Sequence, residues 1–592
     1  MNRGAQWLKR LASRPRLPWA AGLLAVALTL PALATGFQFD DFLLRAEMRG
    51  QAGPAPLGTA LSQAFVFMDG QAAHGLTQMR SGEFPWWALP EGQVAFWRPV
   101  AAFTHWIDFA LWPEDPALMH LHSLLWLGLL AAAAAALYRR IGANAGPVAA
   151  GLAGVLYAVD HTHGFATAWL SNRNILLAAL FGVLALSAHA RWRREGWRAG
   201  ALLGPLLLLL ALLSAEAAVA VLAYWLAYAV FLERGAWPGR LLSLAPAALV
   251  TAGWRLVYRA AGFGAWGTSY LDPLREPLAY LRAVVERGPL LLLGQWLLPP
   301  AEYVNFFAPR VARLTWIAAV LLLALLAWAF GPLLRQSARA RFWGAGMLLA
   351  LLPACAALPA DRLLFFVSLG AMGLLAEFLA GGLAPGLRRR EAWANHGLTG
   401  LLLALHLIIS PVLLPVTAFS PLLLGGLAHG LEDAVASLPT GPRLAQQTTV
   451  IVYAPNFADT GYIGLLRPAL GLPAPARVRG LASGLGAVRL TRRDAHSLLV
   501  STDTFLSGYD SVFRGADHAL ALGEVVDLGD LSATIEAVTG DGRPATVAFR
   551  FAVPLEDASL AWFRWQAGLY VPFTPPPVGA TVELPLAAKA IH

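Results

Sequence analysis

The chain has 592 residues; 57% are hydrophobic, only 13% are charged, and the formal net charge is +9. A soluble globular chain carries about 25% charge, so this one cannot coat a folded surface for water, and apolar runs recurring from Leu17 to about Ala418 exclude disorder as well. The positive charge lies in short loops between those runs, at Arg139 and Arg140, Arg191 to Arg198, Arg234 and Arg240, Arg335 to Arg341 and Arg388 to Arg390. That is a topology signal. No loop is long enough for a nucleic-acid-binding module, so nucleic acid is not an expected partner. The single cysteine, Cys355, excludes an internal disulfide and thiolate zinc sites.

In chain order, apolar runs predict helices near 17–36, 118–138, 144–160, 172–190, 199–213, 216–232, 241–262, 312–331, 343–359, 363–383 and 397–418. Eleven crossings keep the arginine loops on one side, with the N-terminus in the cytoplasm and the C-terminus outside. The expected fold class is therefore a polytopic α-helical membrane protein with a C-terminal β-rich domain. A bacterial inner membrane with a periplasmic C-terminal domain is the expected setting. The basic start followed by Ala20–Leu30 also resembles a cleavable signal peptide; the topology requires it to stay as the first helix. Pro289–Leu298 is too short to span, since about 20 residues are needed, and is expected along the outer surface.

Four segments follow: a tail and first helix over 1–36, an outer loop over 37–116, helices over 117–420 and a soluble domain over 440–592. The loop carries nine acidic residues against four arginines. Leu57–Met68 and Val94–Trp112 read as interfacial helices, with Trp86, Trp87, Trp97 and Trp106 at headgroup level. The last segment changes texture. Val450–Tyr453, Arg477–Arg479, Ala533–Val538 and Val547–Phe551 alternate or run β-branched between Gly and Pro turns, predicting a β-sandwich. Asp494, His496 and His518 are scattered along it and read as surface residues.

Four groups could carry chemistry. Asp40-Asp41 follows the first helix; adjacent carboxylates cannot both ionise freely, so one can serve as a base. Asp160-His161-Thr162-His163 has metal-ligand residue types but no further set to complete four ligands. Arg98, Arg173, Arg255, Arg259 and Arg362 fall at the outer boundary, where positive charge is avoided, and together suit a phosphate. Glu216 is a carboxylate between two apolar runs, and His120 and His122 open the second helix, two apart and so on different faces.

Asp40-Asp41, Phe96-Trp97-Arg98-Pro99, Leu111-Trp112-Pro113-Glu114-Asp115-Pro116 and His120 occur in that order. Leu156–Leu176, Ser214-Ala215-Glu216 and Asp361–Phe365 with Gly370 follow. The series resembles the GT-C membrane glycosyltransferases, and within them the branch of protein O-mannosyltransferases and transmembrane-and-tetratricopeptide-repeat proteins. It covers about Gln38–Glu377. Ser123, Leu127, Asp160, Phe165, Ile175 and Ala215 stand where that branch has other residues, whereas His163, Trp169 and Arg173 match it; the repeats are replaced by the β domain. The resemblance implies transfer of a sugar from a polyprenyl-phosphate donor to an acceptor hydroxyl of a protein, glycan or lipid outside the membrane. Asp40 or Asp41 would be the base and the arginines the phosphate ligands, with inversion at the anomeric carbon. No cofactor is expected, and a divalent cation is not favoured. A non-catalytic membrane scaffold and, behind it, a transporter are the competing readings.

Overall fold

The computed structural model describes residues 14–50, 53–142, 147–307, 309–382, 389–419 and 431–585. The basic tail with Arg3, Lys9 and Arg10, and Arg388, lie outside the described residues. The chain forms two compact units. One comprises Met1–Phe65, Phe96–Phe263 and Arg282–Pro421; the other comprises Val66–Ala95, Gly264–Leu281 and Leu422–His592. The segment expected as one loop over 37–116 is thus divided between them.

The first unit is helical. Among the described residues six helices have the length and apolar composition to cross a membrane: Leu17–Ala34, Pro116–Gly142, Leu170–Glu195, Trp237–Ala260, Arg310–Gln336 and Gly397–Phe419. The other five expected crossings coincide with shorter helices, Pro147–Ala158, Gly200–Leu212, Glu216–Phe231, Ala338–Ala354 and Phe365–Gly381. Eleven crossings are therefore an expectation that helix length supports for six.

Packing in this unit is that of membrane helices. Small residues bring backbones together: a Cβ on Gly154 would stand 2.8 Å from the Ala135 Cβ. Long apolar side chains such as Leu202 and Leu206 face outward, as lipid rather than water allows. Tyr138, fully buried, donates to the Leu369 carbonyl at 2.6 Å. Pro289–Leu298 does not lie on a surface. It belongs mostly to the helix Pro277–Trp296, where Leu291 to Trp296 are all buried. Its apolar character on every side reflects enclosure by neighbouring helices.

The second unit contains a three-stranded antiparallel sheet of Val66–Asp69 (β1), Gln93–Ala95 (β2) and Gly264–Trp266 (β3), in that order. The remaining strands are Thr448–Ile451 (β4), Arg477–Gly480 (β5), Val488–Arg492 (β6), Ser497–Ser501 (β7), Val525–Asp527 (β8), Leu531–Val538 (β9), Pro544–Phe551 (β10), Leu560–Gln566 (β11), Leu569–Pro572 (β12) and Thr581–Leu584 (β13). One sheet runs β8-β9-β10-β7-β6-β13, antiparallel throughout; the other runs β12-β11-β4-β5. In the latter, β4 is parallel to both β11 and β5, with helices Ala458–Gly461 and Ile463–Ala469 in the crossover. The unit is β-rich, as expected, but mixed rather than a pure antiparallel sandwich. All four residues of β4 are buried, the pattern of a strand covered on both faces.

Segment 66–95 is part of this unit's core. Trp86 and Trp87 are 3% and 2% exposed, not at a headgroup surface. Trp86 donates to the Leu481 carbonyl at 3.1 Å and meets the Phe505 and Phe549 rings edge-on. Gly82 ends the helix Ala72–Ser81 at φ +91, and a Cβ there would stand 2.0 Å from the Val478 carbonyl oxygen. Two buried guanidiniums depend on the same segment. Arg479 donates to the Met79 and Arg80 carbonyls at 3.2 and 2.8 Å, and Arg514 to those of Trp87 and Ala88 at 2.7 and 3.1 Å. A fragment starting at Thr440 orphans these donors, each worth about 1–3 kcal/mol when left buried and unmade. Such a fragment is expected to lack a cooperative thermal transition by circular dichroism, and tethering residues 66–95 to it should restore one.

Asp510, 3% exposed, accepts from the Phe457 N–H at 3.2 Å and from the Ser483 hydroxyl. Burial pushes its carboxyl up to about 6. The folded chain then keeps a proton that the unfolded chain releases near pH 4, so stability falls as pH rises from about 4 to about 6. Asp510→Asn removes that slope. Thermal unfolding of the detergent-solubilised protein should show the variant gaining on wild type across this window, by about 3 kcal/mol above it.

Candidate functional site

Helix Asp40–Met48 opens with the two carboxylates in its first turn, where the helix dipole favours negative charge. The residue before it, Phe39, has φ 42 and ψ −115, a strained conformation for a side chain with a Cβ. Asp41 is 1% exposed. Its Oδ2 accepts from the Gln38 N–H (2.9 Å) and the Leu170 N–H (3.2 Å), and its Oδ1 from the Ser171 N–H and hydroxyl (both 2.7 Å). Four donors fill the four lone-pair sites of a carboxylate. Burial pushes this carboxyl up to about 7, against the pull of those hydrogen bonds. Asp41 therefore ties the strained turn 38–41 to residues 170–171, while Asp40 stays half-buried beside it.

The next two residues continue the knot. Asn172 Oδ1 accepts from Arg362 at 3.0 Å, and the half-buried Arg362 guanidinium lies 5.0 Å above the Trp169 ring, which itself packs on Phe39 at 5.1 Å. Arg173 is fully buried. Its guanidinium meets Asp108 at 2.5 Å and donates to the Ser123 hydroxyl (2.9 Å), the Met119 carbonyl (2.7 Å) and the Thr104 carbonyl (3.3 Å). A guanidinium so occupied is a cross-link between three helices, in place of the phosphate grip expected for it.

Arg98 and Glu216 form their own pair, with Arg98 Nε and Nη2 at 2.9 and 2.8 Å from one carboxylate oxygen and the guanidinium stacked 4.2 Å over Phe96. Arg255 is half-buried, 5.6 Å from the Tyr258 ring, and Arg259 is exposed.

Asp160 and His163 lie in the buried interior. Asp160 caps Thr162 (3.1 Å) and accepts from Gln295 (2.9 Å) and Ser368 (2.5 Å), while His163 stacks on Phe365 at 4.4 Å. Asp361 accepts from the Ala301 N–H at 2.8 Å, and its own N–H donates to Glu302 at 2.9 Å. Burial pushes both of these carboxyls upward. His120 joins Thr35 (3.0 Å), the Gly36 carbonyl (2.9 Å) and the Thr167 carbonyl (3.2 Å). Among the described residues no set of three or more His, Cys, Asp or Glu is arranged to hold a metal.

Sequence reading missed Asp108, Ser171, Asn172, Gln295 and Glu302. A signal existed for the first: Thr104, His105 and Asp108 share one face of the otherwise apolar helix Pro99–Leu111. Ser171 and Asn172 act through partners 130 and 190 positions away, which spacing does not reveal.

No protein-family model and no curated protein sequence matches the chain. Among solved structures, the apo oligosaccharyltransferase of Archaeoglobus fulgidus aligns with a TM-score of 0.40 and 12% identity, over 79% of this chain and 65% of that one. The oligosaccharyltransferase AglB of Archaeoglobus fulgidus, in complex with an inhibitory peptide and a dolichol-phosphate, aligns with a TM-score of 0.33 and 13% identity, over 78% and 65%. The chain thus spans about 65% of the length of either protein.

Proposed function

We propose that the chain is a glycosyltransferase that moves a sugar from a polyprenyl-phosphate donor to an acceptor hydroxyl on the extracytoplasmic face, with inversion. One observation carries the reading: consecutive residues Ser171, Asn172 and Arg173 hold Asp41, Arg362 and Asp108, so a half-buried carboxylate, Asp40, and a half-buried cation, Arg362, are supported by one rigid turn. Asp41 positions, and Asp40 is the base. As the acceptor oxygen bonds to the anomeric carbon, its proton passes to Asp40. The bond from that carbon to the phosphate oxygen breaks on the opposite face, the phosphate keeps the electron pair, and Arg362 meets its charge. Phosphate is a good leaving group, so the demand on the protein is mainly for a base and a cation.

Arg362→Gln is the direct test of donor binding. Loss of a charge-assisted phosphate contact is worth about 1.5–3 kcal/mol, so affinity for undecaprenyl phosphate in nanodiscs should fall about 10- to 100-fold. Unaltered affinity removes Arg362 from the donor site. The scaffold reading has one observation in its favour, the internal occupation of Asp41, Arg98 and Arg173. Binding of undecaprenyl phosphate without turnover of any sugar-linked form would select it.

A further inference from the structure

The half-exposed imidazole of His122 has no part in that reaction. His122 sits near the outer end of helix Pro116–Gly142, two residues from His120 and on a different face. Its Nδ1 is 2.6 Å from Asp108 Oδ1, and its side chain is 21% exposed where that of Asp108 is 0%. The other Asp108 oxygen lies 2.5 Å from the Arg173 guanidinium. A proton on Nδ1 is then required to bridge the 2.6 Å gap, and the hydrogen bond leaves Nε2 as the nitrogen that Asp108 does not occupy. The Arg173 Nη1 lies 3.4 Å from the same Nδ1 and His105 lies on the Asp108 helix, so the charged and titratable groups facing His122 are Asp108 and His105 from one helix and Arg173 from another. Arg173 directly follows Ser171 and Asn172, so the dyad hangs from the same turn as Asp41 and Arg362.

We infer that the Asp108–His122 dyad is a proton donor to the departing phosphate, a role that rests on the transferase reading and adds an acid to its base. When the carbon–oxygen bond to the phosphate breaks, the electron pair stays on that oxygen. The His122 Nε2–H bond breaks, and the proton joins the phosphate oxygen. The ring, left neutral, takes a proton from solvent, and Asp40 releases the acceptor's proton to solvent, which restores both groups. Asp108 is a positioning residue: it fixes the ring and balances the imidazolium.

The first test does not use turnover. The protein in phosphatidylglycerol–phosphatidylethanolamine nanodiscs is treated with diethyl pyrocarbonate, and acylation of each histidine is followed by mass spectrometry. His122 should react while buried His105 and His120 do not, and saturating undecaprenyl phosphate should slow His122 at least 10-fold. Inorganic phosphate at the same concentration should not, which separates a lipid headgroup from a free anion. An inert His122, or one unaffected by undecaprenyl phosphate, overturns the inference. In turnover assays with undecaprenyl-phosphate-linked hexoses, His122→Gln should lower kcat about 100-fold, the lower end for a positioned acid, and flatten the alkaline limb of the pH profile. A wild-type alkaline limb in His122→Gln, alongside inactive Asp40→Asn, overturns the acid and leaves the transferase intact. Activity in Asp40→Asn instead removes the base on which the transferase reading stands.

Discussion

Asp40→Asn is expected to lose transfer by about 10²- to 10⁴-fold, the contribution of a positioned general base, while melting at the wild-type temperature. Asn keeps the shape and one acceptor oxygen, and Asp40 is half-buried where Asp41 is fully buried. Asp41→Asn should fail differently. Its carboxylate serves four donors, two on each oxygen. An amide keeps one oxygen and turns an NH2 group toward two N–H or O–H donors, leaving orphans at about 1–3 kcal/mol each. Transfer should fall in both variants, but the melting temperature only in Asp41→Asn, because only Asp41 holds the strained Phe39 turn. Thermal unfolding and transfer measured on the same preparations separate the two roles. Equal destabilisation in both variants would remove Asp40 as base.

Arg173→Met should be the most destabilising single change in the helical unit. The guanidinium is fully buried, bonded at Asp108, Ser123 and two carbonyls, and its loss strands the Asp108 carboxylate beside a single imidazole. Removing one partner of a buried ion pair costs about 3–5 kcal/mol. Arg173→Met with Asp108→Asn should recover part of that, because the stranded charge is gone. A double variant as unstable as the sum of the single ones would show that the pair is not coupled. Arg173 also illustrates why residue type misleads at this boundary. Arginine where positive charge is avoided demanded a reason, and the reason is Asp108, an acid ten residues after Arg98 on another helix.

The membrane class and the β-rich C-terminal region were legible because hydropathy and strand texture are local signals. The arginine loops and the runs from Leu17 to Ala418 needed no tertiary knowledge. The surroundings of Pro289–Leu298 did need it: an apolar decapeptide reads the same in lipid as in protein. Residues 66–95 misled for a similar reason. Trp86 and Trp87 have headgroup composition, but both are buried, and Trp86 meets Leu481, Phe505 and Phe549, the nearest of them 395 positions away, which no spacing rule reaches. The parallel crossover from β4 to β5 was hidden by the shortness of both strands, four residues each. At the candidate site, type and position singled out Asp41, Arg173 and Arg362, and residues 169–173 contact Asp41 and Arg362 or include Arg173 itself. The four hydrogen bonds that occupy Asp41 were not legible, because their donors lie at residues 38, 170 and 171 and only the fold brings 170 and 171 to it.

The most direct measurement is turnover by the wild-type protein. Purified chain in proteoliposomes is supplied with undecaprenyl-phosphate-linked hexoses and an acceptor mixture extracted from cells lacking the gene, and released undecaprenyl phosphate is quantified with the anomeric configuration of the product. A lipid-phosphate transferase with one base opposite the leaving phosphate predicts release with wild type, a product of inverted configuration, and neither with Asp40→Asn. Retained configuration, or equal release from wild type and Asp40→Asn, would contradict it.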